Sequence, residues 1–233
     1  MTLPTDSYLI CASPRSGSGL LAGVLRSSGI AGRPEEYFWR GDMPHWQEVW
    51  GVRTETEYLR AALDAGSTPN GVFGARVMWA YLDDVVELAT RATGAQPPAI
   101  QAAFPHLHLV ALRRLDHVAQ AVSWAKAEQT GVWYEGDSRG RQRPASFDAD
   151  LIQRLVGAIQ EAERGWSTFA SEVRADTMQL TYEDVAADPI GAGRLVLDFL
   201  GLPSSGVQLR VRTRQQADAT NEAWIARYRA EHR

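Results

Sequence analysis

Tyr8-Leu9-Ile10-Cys11-Ala12-Ser13-Pro14-Arg15-Ser16-Gly17-Ser18-Gly19-Leu20-Leu21 is the stretch around which the rest of the chain can be organised. Its first half is a short apolar run ending at Pro14, the pattern of a strand buried on both faces of a parallel sheet. Its second half is a Gly/Ser-rich turn leading into Leu20-Leu21-Ala22-Gly23-Val24-Leu25, where a helix begins. A loop in that position suits an anion. Glycines let the backbone curl closely around a ligand, and the N–H groups of a helix start add donors and a positive dipole. Gly17 and Gly19 supply the curvature, Ser16 and Ser18 hydroxyls, and Arg15 a guanidinium that forks onto phosphate oxygens. This is not a Walker A loop, which needs a lysine directly after its second glycine. The bland alternative is a helix cap on a flexible turn.

Working outward, strands are expected over 72–78 (after the turn Pro69-Asn70-Gly71), 107–112 and 178–181. Helices are expected over 81–93, 116–129 with Asp116 as N-cap, 150–172, 190–200 closed by Gly201, and 221–229. Strands alternating with helices define an α/β fold, a P-loop-like parallel β-sheet flanked by helices, with ligands beyond the carboxyl ends of its strands. Residues 131–148, rich in Gly, Arg, Ser and Pro, have no period and are expected to form a mobile loop. Residues 1–233 are expected to form a single domain.

Composition narrows the partners. With 233 residues and 45% hydrophobic content the chain can bury a sizeable core. A net charge of −4 argues against a general nucleic-acid binder. No run of about 18 apolar residues is present, so no membrane span is expected. The first residues lack the basic region and apolar stretch of a secretory signal, and Cys11 is the single cysteine, so a cytoplasmic protein is expected. Lys126 is the single lysine, which leaves phosphate recognition largely to arginine.

The order of strand, then Pro-[Lys/Arg]-Ser-Gly-[Ser/Thr], resembles the 5′-phosphosulfate loop of sulfotransferases dependent on 3′-phosphoadenosine 5′-phosphosulfate (PAPS). The stretch from Leu20-Leu21 through Gly29-Ile30-Ala31-Gly32 to Pro34-Glu35-Glu36-Tyr37-Phe38 is similar to the bacterial trehalose 2-sulfotransferase family. So are Asn70-Gly71-Val72-Phe73-Gly74-Ala75-Arg76-Val77-Met78-Trp79, Arg114-Leu115-Asp116 with Gln120-Ala121-Val122-Ser123, and Gln216-Ala217-Asp218 with Trp224 and Arg227-Tyr228-Arg229. The sequence departs from the family at Gly19, where a Thr is usual, at Leu115 for Pro, at Ala119 for a first Ser, and in a shorter segment between Phe38 and Pro69.

The resemblance implies sulfonate transfer to a hydroxyl of a small acceptor (a sugar, glycolipid precursor or secondary metabolite), releasing 3′-phosphoadenosine 5′-phosphate (PAP). It places the general base on Glu36, with Glu35 as its neighbour and rival. Arg15, Ser16, Gly17, Ser18 and Gly19 fall at the 5′-phosphosulfate. Arg114 and Ser123 fall at the 3′-phosphate, with Arg113 competing for that role. Tyr182 lies near the adenine, and Gln216 in a C-terminal cofactor-binding block. Phe38, Trp39 and Arg76 are candidates for the acceptor side. Trp46 and Trp50 suit either pocket walls or core. Relatives allow a homodimer. No metal is expected, since arginines and amides suffice for the leaving group and His106 and His108 lack further ligands. A P-loop kinase or NTPase is the competing enzyme class, and a degenerate binding protein of the same fold is a third reading.

Overall fold

The computed structural model describes residues 4–95, 99–134, 144–211 and 219–232. In chain order its elements are β1 (Asp6–Ala12), α1 (Ser18–Ser27), α2 (Met43–Trp50), α3 (Glu55–Gly66), β2 (Val72–Met78), α4 (Leu82–Thr93), α5 (Ala99–Ala103), β3 (Leu107–Arg113), α6 (His117–Thr130), α7 (Ala149–Val173), β4 (Asp176–Thr181), α8 (Tyr182–Ala187), α9 (Pro189–Phe199) and α10 (Ala219–Glu231). A 3-10 turn over Trp79–Tyr81 joins β2 to α4. The four strands form one parallel sheet in the order β2-β1-β3-β4.

The continuous apolar run of β1 follows from its central place, because both of its faces are covered. Leu9 and Cys11 point into one layer with Phe73, Ala75, Val77 and Leu109, covered by α3, α4 and α7. Tyr8 and Ile10 point the other way, onto Val110, Leu112, α1 and α9. Burial pushes the Cys11 thiol well above its usual range, so it is a packed core thiol. A third cluster joins α6, α7 and α10 through Val122, Ile159, Trp224 and Tyr228.

Local chemistry sets the element ends. Asp116 caps α6 by accepting from the amide of Ala119 at 3.0 Å, as the sequence predicts. The expected strands and helices are all present with ends moved by a residue or two. The segment between Phe38 and Pro69 adds α2 and α3, which periodicity did not reveal. There Thr54 and Glu57 form a capping box at the start of α3. Trp46 and Trp50 stack at 5.0 Å and pack against Tyr37 and Tyr58, which makes them supports of this layer. Of the expected loop over 131–148, residues 135–143 lie outside the described residues. Its described flanks are tied down: Ser146 exchanges hydrogen bonds with Gln129, and Phe147 packs edge-on against Trp224.

Candidate active site

The carboxyl ends of all four strands converge on the loop after β1. Ser16 is fully buried and its Oγ has no hydrogen-bond partner in the structure. Gly17 adopts a left-handed φ of 87°, and Ser18 opens α1. A Cβ on Gly17 would stand 2.5 Å from the Tyr182 ring, so this position is held to glycine twice over, by conformation and by space. The amides of Ser18 and Gly19 belong to the first helical turn and point out of it. Together with the unpartnered Ser16 hydroxyl they form a ready anion cradle.

Three side chains from distant elements close around that cradle. Arg15, at a left-handed φ of 64°, donates from Nε to Ser123 Oγ at 2.9 Å and from Nη1 to the carbonyl of Trp133. Arg114 lies 4.5 Å over the ring of Tyr182, and its buried Nε has no partner in the structure. Burial lowers the pKa of Arg15 below the ordinary arginine range, and the neighbouring charge of Arg114 adds to the effect. Two guanidinium groups brought near each other in a desolvated place favour anionic ligand groups beside them. Arg113, the competitor for the role, is exposed at the end of β3. Gln216 lies outside the described residues.

A second cluster sits beside the loop. Arg76 reaches Glu35 Oε2 at 3.3 Å and Glu36 Oε1 at 3.2 Å, and Glu35 also pairs with Arg26. Tyr81 donates to Glu36 Oε2 at 3.2 Å. A Cβ on Gly19 would be 3.5 Å from Arg76 Nη1, so Arg76 spans from the carboxylates to the loop. The Glu36 side chain is 29% exposed, enough to be reached by a ligand while held on two sides. Burial pushes the Tyr81 hydroxyl well above the usual phenol range and Glu36 adds to the rise, so Tyr81 stays protonated and donates a hydrogen bond to Glu36.

Two acceptor-side expectations part here. Trp39 is half-exposed and folds over Gly41, available to a ligand. Phe38 is 1% exposed and packs edge-on against Phe104 in the core. Glu35 forms a parallel bridge with Ala75, and next to it Glu36 stays partly exposed while Tyr37 and Phe38 are buried. His106 and His108 share no ligand set: His106 contacts Asp6 at 3.4 Å, and His108 is edge-on to Phe199. They line a cavity of about 540 Å³ with Asp6 and Arg174, at the opposite, amino ends of the strands. Among the described residues no group of three side chains is placed to ligate a metal.

Sequence reasoning missed Tyr81 and Glu183. Both lie within three residues of a strand's carboxyl end, the one signal that could have singled them out.

Comparison with known proteins names the chemistry. Residues 7–231 match the Stf0 sulphotransferase family, and the chain belongs to it. It is a sulfotransferase, and the kinase alternative is set aside. The trehalose 2-sulfotransferase of Mycobacterium tuberculosis is 28% identical over 99% of this chain and 97% of its own length. That of Mycolicibacterium smegmatis is 28% identical over 96% and 94%. A sulfotransferase from Alicyclobacillus acidocaldarius superposes with a TM-score of 0.51 at 16% identity, over 99% of this chain and 94% of that one. The sulfotransferase domain from the curacin biosynthetic pathway gives 0.54 at 16% identity, over 87% and 76%. At these identities both report the fold. No helix among the described residues is long and apolar enough to cross a membrane.

Proposed function

We propose that this chain uses PAPS as sulfonate donor and transfers the group to a hydroxyl of a sugar-like acceptor, with Glu36 as general base. The observation that carries the reading is the pairing of Arg15 and Arg114 around the cradle. Arg15 is held by a hydroxyl and a carbonyl, and Arg114 by an aromatic face. The unpartnered Ser16 Oγ and Arg114 Nε fit phosphate oxygens.

When bound, PAPS supplies a sulfonate already joined to a phosphate leaving group. Arg15, the Ser16 hydroxyl and the helix-start amides meet the charge that builds on the leaving oxygen during in-line displacement. Arg114 and Ser123 hold the 3′-phosphate, which separates PAP from AMP and ATP. Glu36 takes the proton from the acceptor hydroxyl while Tyr81 fixes its second oxygen. Arg76 pairs with Glu36 at 3.2 Å and holds its first oxygen beside the loop. Trp39 offers an exposed aromatic face to a sugar ring. The trehalose 2-sulfotransferases among the relatives support a disaccharide as the first acceptor to try.

Calorimetry with PAP, AMP and ATP tests the donor site, and a screen of sugars with labelled PAPS tests the acceptor. Preference for PAP is expected. Equal affinity for PAP and AMP would remove Arg114 and Ser123 from the 3′-phosphate and overturn the reading.

A further inference from the structure

Arg114 has to be held at one place and one angle to read a phosphate, yet it lies in the short connection between β3 and α6. The first residues of α8 grip that connection. The Tyr182 ring lies under the guanidinium at 4.5 Å. The Glu183 carboxylate accepts from the amide of Leu115 at 3.1 Å, with a longer contact of 3.5 Å to the amide of Asp116. Asp116 in turn caps α6 and receives Arg229 of α10 on both carboxylate oxygens at 2.8 Å. These contacts bind the backbone of Leu115 and Asp116 on the side of α8 and the side chain of Asp116 on the side of α10.

We infer that Glu183 is a positioning residue for 3′-phosphate recognition, acting by fixing the backbone directly after Arg114. Its contribution has a sign that separates it from a simple charge effect. A carboxylate near a phosphate site repels the ligand, so removing its charge without moving anything would tighten PAP binding. Loss of positioning does the opposite. The Glu183 latch needs an N–H at position 115, and the Leu115 amide supplies it.

The inference rests on the donor-site reading above, and its test keeps the two apart. PAP and AMP are titrated calorimetrically into the full-length wild type, Glu183→Gln and Glu183→Ala, with melting temperatures recorded alongside. Glu183→Gln keeps the size of the side chain and folds with little disturbance. PAP affinity is expected to fall about tenfold in Glu183→Ala, the worth of one hydrogen bond to a charged group, and less in Glu183→Gln. AMP affinity should stay within about twofold. Unchanged or tighter PAP binding overturns the inference. So does a parallel loss of PAP and AMP binding with a lowered melting temperature, which would make Glu183 a support of the fold alone. A wild type that does not prefer PAP overturns the donor-site reading, and this inference with it.

Discussion

Arg15 and Ser123 are joined by a hydrogen bond, Nε to Oγ at 2.9 Å, across 108 positions of sequence. The bond ties the loop after β1 to the second turn of α6, so the two ends of a phosphate-rich ligand would be met by one continuous set of donors. Arg15 holds this place at a φ of 64°, a left-handed backbone that costs a non-glycine residue about 1–3 kcal/mol. Arg15→Gly should relieve that strain while it deletes the guanidinium. The expected outcome is a melting temperature near that of wild type, with PAP binding weakened by about 2–5 kcal/mol. Scanning calorimetry and titration with PAP check the two halves. A variant that melts far below wild type would mean that Arg15 holds the fold rather than the ligand.

Arg114 and Arg113 are neighbours with different surroundings, one stacked on Tyr182 and the other exposed. Arg114→Ala should weaken PAP binding by about 2–5 kcal/mol and leave AMP nearly unaffected. Arg113→Ala should change neither. If Arg113→Ala carries the loss, the 3′-phosphate has been assigned to the wrong side of β3.

Glu36→Gln preserves shape and removes the proton acceptor. Steady-state kinetics should show kcat lower by about 10²–10⁴-fold, with PAP affinity unchanged. Tyr81→Phe should lower kcat about tenfold, the value of one hydrogen bond to a charged group, again without touching PAP. Glu35→Gln breaks partly exposed pairs with Arg26 and Arg76 and should cost no more than about 1 kcal/mol of stability, with turnover retained. Loss of turnover in Glu35→Gln alone would shift the base by one residue.

Alkaline pH should unfold this protein early. Burial pushes the hydroxyls of Tyr8, Tyr58 and Tyr81 above the usual phenol range, and lifts Tyr37 to about 12. In the unfolded chain each titrates near 10, so the folded state keeps protons that the unfolded state gives up. The stability they contribute is fully present below about pH 10 and lost as pH rises toward the folded values. Urea midpoints at pH 8 and near pH 11 should therefore differ markedly, and Tyr8→Phe should flatten the change. Equal midpoints would show that these phenols ionise freely.

Much of this was legible in the chain because the governing physics is local. A strand buried on both faces must be apolar throughout, so β1 announced itself, and the glycines and serines after it could serve one kind of turn. Asp116 declared the start of α6. Other features depend on partners far away in sequence. Tyr81 meets Glu36 across 45 positions, and Glu183 meets Leu115 across 68. Nothing in their own neighbourhoods records these contacts. An aromatic after a proposed base suits a pocket wall as well as a core, and the burial of Phe38 against Phe104 depends on a partner 66 positions away. In α2 no residue is fully buried, so its apolar positions left no clear period, although the Thr54–Glu57 signature beside it was available.

The parallel sheet has a further consequence, for how the chain reaches its shape. Asp6 pairs with Val72, Ser7 with Leu107, and His108 with Asp176, so no pairing in the sheet closes a short loop. Among the described residues no hairpin joins two of these four strands. The central strand is synthesised first and waits, apolar on both faces, until partners from much later in the chain arrive. Folding should accordingly be slow for a chain of this size, and the early intermediate should be prone to association through β1. The loop after β1 would become ordered only when β3 and β4 dock, so competence to bind ligand should appear late in refolding, close to the final compaction.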